Sequence, residues 1–260
     1  MSSSSELREN RGFAREIKFL VPPGSAEMIR QWARERMDPD PHGAGPSGDV
    51  YRIASLYFDT PEFDVYRRNG SFGRAKYRIR RYGDGRKAYL ERKLKSRDMV
   101  SKRRSAVKVR EFDSLEDGAA NREWPGFWFH RRLLLRGLSP VCQISYVRTA
   151  RVAENGFGVA RLTLDQDLRA LPASRFGFDD FEDGTPITDG QVIVEMKYRR
   201  EMPPVFERLA EEFGLVQQPL SKYRLAAAAL GLVPEPANAQ VQTAGSPGSW
   251  LPVSLERQTS

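Results

Sequence analysis

The sequence predicts an α+β fold in which a closed antiparallel β-barrel with a charged interior is flanked by helices. Two observations carry that expectation. Charged and apolar residues alternate with a period of two in segment after segment, the signature of strands with two unlike faces. Between and after these segments lie stretches with apolar residues at helical spacing. The most informative stretch is KYRIRRYGDGRKAYLERKLK, from Lys76 to Lys95, where Lys76, Arg78 and Arg80 oppose Tyr77 and Ile79. Glu91, Lys93 and Lys95 likewise oppose Leu90 and Leu94, and Asp84-Gly85 supplies turn residues between the two runs.

In chain order, residues 1–13 are polar and Ser-rich and read as a flexible leader. REIKFLV gives a first strand that ends at Pro22-Pro23. Ser25 is placed to cap a helix whose Met28, Ile29, Trp32 and Ala33 form one apolar stripe, ending near Met37. DPDPHGAGPSGD reads as a loop in which His42 is solvated. A strand over Val50 to Asp59 precedes Thr60-Pro61, which has the form of an N-cap followed by a first-turn proline. After the hairpin, MVSKRRSAVKVREF continues the basic pattern with Lys102 and Arg104 on one parity.

WPGFWFHRRLLLRG reads as a helix stopped by Gly137, with His130 packed or facing solvent. Ile144, Tyr146 and Arg148 share a strand face that runs to the hairpin signal Glu154-Asn155-Gly156. The partner strand sets Arg161, Thr163, Asp165 and Asp167 against Leu162 and Leu164. An acidic loop follows, and QVIVEMKYR then places Glu195 and Lys197 opposite Val194, Met196 and Tyr198. Two helices close the ordered region, one with Phe206, Leu209, Ala210 and Phe213 in register and one capped by Ser221. Residues 14–232 are expected to form one domain and 233–260 a disordered tail.

Composition narrows the function. The 260-residue chain carries a net charge of +8 and a pI near 9.7, which favours anionic partners. Cys142 is the only cysteine, so an intrachain disulfide and a thiolate metal cluster are excluded, and a reducing cytoplasm is the expected location. No stretch has the ~18 uninterrupted apolar residues of a membrane span. RNP-like, zinc-finger and helix-turn-helix signatures are absent, so no specific nucleic-acid partner is expected. Many cationic strand faces converging on one space would be prohibitive to bury unless a polyanion neutralised them. Arginine offers bidentate donors to phosphate and lysine a mobile point charge. Glu16 and Glu91 read as partners in ordinary surface ion pairs. The cavity carboxylates, Glu195 among them, read either as partners of neighbouring lysines or as ligands of a divalent cation that bridges them to phosphate.

The ordered set EIKF, SLYFD, KYRIR, LERK, SKRR, SYVRTA, ARLTLD, VEMKY and PLSKYR resembles the catalytic domain of the VTC (vacuolar transporter chaperone) polyphosphate polymerases, within the triphosphate tunnel metalloenzyme superfamily. The resemblance runs from about residue 14 to about residue 231. It implies a tunnel that binds ATP and polyphosphate and transfers a terminal phosphoryl group with Mn²⁺ or Mg²⁺. On that resemblance, Arg78, Arg80, Lys93, Arg148, Arg161 and Lys222 would act in catalysis. Lys18, Lys76, Lys102, Arg104, Tyr146, Lys197 and Ser221 would join them in binding substrate, and Glu195 would bind metal. A tunnel triphosphatase and a non-catalytic polyphosphate-binding module are the competing expectations.

Overall fold

The computed structural model describes residues 14–41, 43, 48–73, 75–96, 99–155, 158–180 and 182–233. His42, Gly156, the leader and all of the tail except Val233 lie outside these residues. In chain order the described residues form β1 (Ala14–Val21), α1 (Pro23–Arg36), β2 (Asp38–Pro39), β3 (Val50–Asp59), α2 (Asp64–Arg67), β4 (Ala75–Tyr82), β5 (Lys87–Ser96) and β6 (Met99–Lys108). There follow α3 (Phe127–Arg136), β7 (Ser139–Asn155), β8 (Gly158–Pro172), β9 (Thr185–Pro186), β10 (Val192–Tyr198), α4 (Pro204–Glu212) and α5 (Lys222–Ala229).

The strands make one ten-stranded sheet in the order β2-β7-β3-β4-β5-β6-β1-β10-β8-β9. All the pairings are antiparallel, and β7 also pairs with β8 along most of its length. The run of neighbours that leaves β7 through β3 therefore returns to it through β8. At one seam, β1 against β6, the ladder among the described residues holds the pairs Ala14↔Val100 and Arg15↔Met99. The barrel expected from the sequence is thus met as a large antiparallel sheet with several helices.

Two hydrophobic clusters lie against this sheet. In one, Ile29 and Trp32 of α1 and Phe206 and Leu209 of α4 pack on Leu162, Leu164, Val194 and Met196. In the other, Phe129 and Leu133 of α3 and Tyr223, Ala226 and Ala227 of α5 pack with Leu56, Ile79, Leu90 and Ile144. Apolar strand residues thus meet the helices, which leaves the opposite parity of each strand to the charged side chains.

Local details depart from the sequence expectations for identifiable reasons. Pro23 opens α1 with Pro22 as its cap residue, so Ser25 lies inside the first turn and caps nothing. Met28 is exposed and Ala26 takes its place in the buried stripe. In the hairpin turn the positive φ falls on Gly83 (52°), not on Asp84 or Gly85. At the bulge where β8 faces Tyr146, Asp167 takes a φ of 49° and turns out to solvent, leaving the parity it shared with Asp165. His130 is buried, with Nε2 3.0 Å from the Asp117 carbonyl. Ser221 does cap α5, accepting a hydrogen bond from the Arg224 amide.

The Thr60-Pro61 signal does not start a helix, because Asp59 organises the turn instead. Its carboxylate accepts hydrogen bonds from the Thr60, Val65 and Tyr66 amides and from the Tyr223 hydroxyl. This holds residues 60–63 as a turn, delays α2 to Asp64 and pins α5 to the end of β3. No described helix is long and apolar enough to cross a membrane.

Asp59→Ala leaves these buried donors without their acceptor and is expected to lower unfolding free energy by about 3 kcal/mol. Urea unfolding checks this; a loss under about 1 kcal/mol would mean that the carboxylate is not the organiser of this corner.

Candidate phosphate-binding cavity

The register of the sheet composes the site. Lys76 of β4, Lys93 of β5 and Lys102 of β6 form one cross-strand row, and Arg78, Glu91 and Arg104 form the next but one. β3 extends that second row with Tyr57 and sets Ser55 beside Arg80. On the facing strands, Glu16, Lys197 and Arg161 make a row across β1, β10 and β8, and Lys18, Glu195 and Thr163 make another. These rows border a cavity of about 120 Å³.

Twelve of the fourteen residues picked out from the sequence line that cavity: Lys18, Lys76, Arg78, Arg80, Lys93 and Lys102 from one part of the sheet, with Tyr146, Arg148, Arg161, Glu195, Lys197 and Lys222 completing it. Arg104 does not. Its guanidinium stacks 3.4 Å from the Tyr89 ring centre, with Nε 3.3 Å from Glu91, so it backs the wall. Ser221 lies in an adjoining cavity and accepts a 2.6 Å hydrogen bond from Lys76 Nζ.

Ten of the fifteen lining residues are lysine or arginine and two are glutamate, so the cavity carries a surplus of positive charge. The carboxylates behind the wall reduce that surplus. Glu91 is fully buried, 2.7 Å from both Arg78 and Lys102. Burial pushes its carboxyl up, but Arg78, Lys102, Arg80 and Arg104 together hold it well below the usual range. The surface ion pair expected for Glu91 is therefore an interior network, because three cationic strand neighbours enclose it. Glu16 is half-buried and bonded to Lys93, with Glu195 opposing its ionisation and Lys93 and Lys18 favouring it.

Asp165 was not singled out from the sequence, although it shared a parity with Arg161. It accepts from Arg148 Nε and Nη2 at 2.6 and 2.7 Å and lies 2.6 Å from Lys222 Nζ. Against its burial, those two cations bring its pKa down to about 2. Arg161 is held similarly by Asp40 at 2.7 Å and by the Tyr51 hydroxyl. Tyr57 and Tyr82 were also missed. Tyr57 accepts from Arg78, and although burial raises the Tyr82 phenol, Arg80, Arg104 and Lys102 bring it to about 8. Aromatic residues in strands read as core, and only cross-strand register shows them beside arginines.

Three lining cations, Arg80, Lys76 and Lys197, have no ion pair with a carboxylate among the described residues. Arg80, 5% exposed, donates to Ser55 at 3.1 Å and Tyr146 at 3.0 Å. Lys76 has the Ser221 hydroxyl alone. Burial together with Lys18, Lys93 and Arg78 pushes the Lys76 amine well below the usual lysine range.

No group of three or more His, Cys, Asp or Glu side chains is placed to cage a metal among the described residues. Glu195 and Glu16 nonetheless share the cavity, and Glu195 opposes ionisation of Glu16, a repulsion that a cation would relieve. A magnesium-like ion is commonly held by one or two carboxylates, with phosphate oxygens and water completing its shell. The residues present fit that arrangement.

The family model for the VTC domain matches residues 13–231. No curated protein matches the sequence. Among solved structures, a candidate adenylate cyclase of Bacillus halodurans superposes with a TM-score of 0.52 at 14% identity, covering 82% of this chain and 95% of that one. A candidate adenylyl cyclase of Hippeastrum, described as having dominant triphosphatase activity, gives a TM-score of 0.48 at 18% identity over 83% of this chain and 95% of that one. The first of these likenesses supports the fold.

The folded pKa of Asp165 lies below its unfolded value of 3.8, so its contribution is present above pH 3.8 and is lost as pH falls toward about 2. That contribution is on the order of 2 kcal/mol. The stability gap between wild type and Asp165→Asn should accordingly narrow between pH 4 and pH 2 in denaturant titrations. A gap that stays constant over this window would break the assignment of Asp165 as an ionised partner of Arg148 and Lys222.

Proposed function

We propose, from the premise that the chain belongs to the VTC domain family, that it is a metal-dependent polyphosphate polymerase that transfers the terminal phosphoryl group of ATP to a polyphosphate chain inside the basic cavity. The observation that supports this most is the surplus of inward cations, with buried Arg80 and half-buried Lys76 beside hydroxyl groups and no carboxylate. An apolar or neutral ligand would leave those charges uncompensated in the cavity, whereas phosphate oxygens would satisfy them. In this reading the sheet wraps the ligand as a closed tunnel.

Each residue then has a task that follows from its position. Arg78 and Arg80, with Arg148 and Arg161, hold non-bridging phosphate oxygens and keep donor and acceptor chains aligned. Lys93 and Lys222 offset charge that develops on the oxygens during transfer. Lys18, Lys102, Lys197 and Tyr146 extend the contact along the chain, and Arg104 acts only through Glu91. Glu195, with Glu16 beside it, would hold Mn²⁺ or Mg²⁺, which supplies charge neutralisation between the phosphates. The attacking group is an oxygen of polyphosphate that is already anionic, so no base is required. The cavity carboxylates suit that chemistry, because Lys18 and Lys93 keep Glu195 ionised against burial and unavailable as a proton acceptor near neutral pH.

A second reading is a triphosphatase that hydrolyses tripolyphosphate or a nucleoside triphosphate, which draws on the same inward cations. A polyphosphate-binding module without turnover would use the same contacts.

Purified protein incubated with ATP and Mn²⁺ is expected to give a ladder of long polyphosphate on a gel, and release of ADP and orthophosphate with no polymer would reject synthesis in favour of hydrolysis. Glu195→Gln is expected to lower metal-dependent turnover at least a hundredfold while tripolyphosphate still binds. Unaltered turnover in this variant would remove the metal role of Glu195. Duplex DNA at matched phosphate concentration should fail to displace tripolyphosphate; displacement would mark the cavity face as a general polyanion surface.

A further inference from the structure

The basic cavity opens into a second chamber of about 230 Å³, with Glu16, Lys18, Lys76 and Lys93 lining both. The chamber is bounded by the connector between α4 and α5, which crosses β1 through a hydrogen bond from the Gln218 amide to the Lys18 carbonyl. Its chemistry differs from that of the basic cavity. Beyond the shared residues, Val65, Ala75, Leu220 and Tyr223 give it apolar walls, while the amides of Gln217 and Gln218 sit at its mouth. Among the described residues Arg68 and Arg224 are the other charged groups on its lining, and the Arg224 guanidinium already lies over the Tyr66 ring at 4.8 Å.

A phosphate polymer needs cations at every step of its length, and the lining thins in charge where the second chamber begins. A nucleoside needs apolar surface for its ring system and donor-acceptor pairs for its edge, which two carboxamides supply. Lys76 stands on the threshold between the two spaces, tethered to Ser221 and lacking an acidic partner.

We infer that the second chamber holds the nucleoside of a nucleoside triphosphate, with Lys76 on the phosphate nearest the ribose and the remaining phosphates running into the basic cavity. This rests on the reading of that cavity as a triphosphate site. It assigns to Gln217, Gln218 and Leu220 a part in choosing the donor, separate from the residues that hold phosphate.

The test compares binding of ATP, tripolyphosphate and long polyphosphate by calorimetry, for wild type and for a Gln217→Leu/Gln218→Leu variant that keeps side-chain size near the mouth. Expected is about a tenfold loss of ATP affinity in the variant, with tripolyphosphate unchanged within twofold. Saturation-transfer NMR should also show the adenine protons of bound ATP receiving magnetisation from wild-type protein. Equal losses for ATP and tripolyphosphate, no loss for either, or a loss confined to long polyphosphate would each overturn the assignment, the last by making the chamber a path for the polymer. Adenine protons that receive no transfer while ATP is bound would overturn it as well. If wild type binds none of the three, the phosphate reading of the basic cavity falls along with it; if it binds tripolyphosphate but shows no nucleoside contact, only the chamber assignment falls.

Discussion

The interior of this sheet is organised by the cost of burying like charges together. Arg78, Arg80, Arg148, Lys93 and Lys222 cannot share a small space unless each is compensated by an acid, by a hydroxyl or by a ligand. Compensation is distributed unevenly: Glu91 serves Arg78, Lys102 and Arg104, and Asp165 serves Arg148 and Lys222. These acids meet the charged ends of their partners and reduce the surplus, which leaves Arg80 and Lys76 as cations compensated by hydroxyls alone. Apolar residues are then confined to the other parity of each strand, and the covering helices follow from that confinement.

Much of this was legible in the sequence because strand parity is a strict rule. The alternation at Lys76 to Arg80 and at Glu195 to Lys197 set those charged residues on one face before any contact was known, and strand limits such as Val50–Asp59 follow from the same pattern. Parity says nothing about which strands are neighbours. For that reason Glu91 read as half of a surface pair, and Asp165 and Tyr57 went unnoticed, although each lay on the correct face. The pairing Arg78↔Glu91 was within reach, because the hairpin turn sets that register. The pairing of Arg148 with Asp165 was within reach as well, because it lies in the unbroken register that runs from Asn155↔Gly158, on the turn side of the bulge.

Local signals failed where a buried side chain overrode them. Thr60-Pro61 has the form of a helix start, yet Asp59 captures the amides of Thr60, Val65 and Tyr66. Gly83, not Asp84-Gly85, takes the left-handed conformation in the hairpin turn, because the connection runs over four residues between Tyr82 and Lys87. Asp167 leaves the cavity face at a one-residue irregularity in β8.

The bond from Tyr223 to Asp59 has a consequence in the mechanics of α5. Successive residues of a helix are separated by about 100° of rotation, so a helix with one side chain locked in place has a single permitted orientation about its axis. With Tyr223 held by Asp59 and stacked at 5.4 Å on Tyr57, the preceding residue has one azimuth left to it, and that azimuth delivers Lys222 to Asp165. The helix behaves as a keyed bolt: a carboxylate at the end of β3 determines the angle at which a charge enters the cavity from the opposite end of the chain.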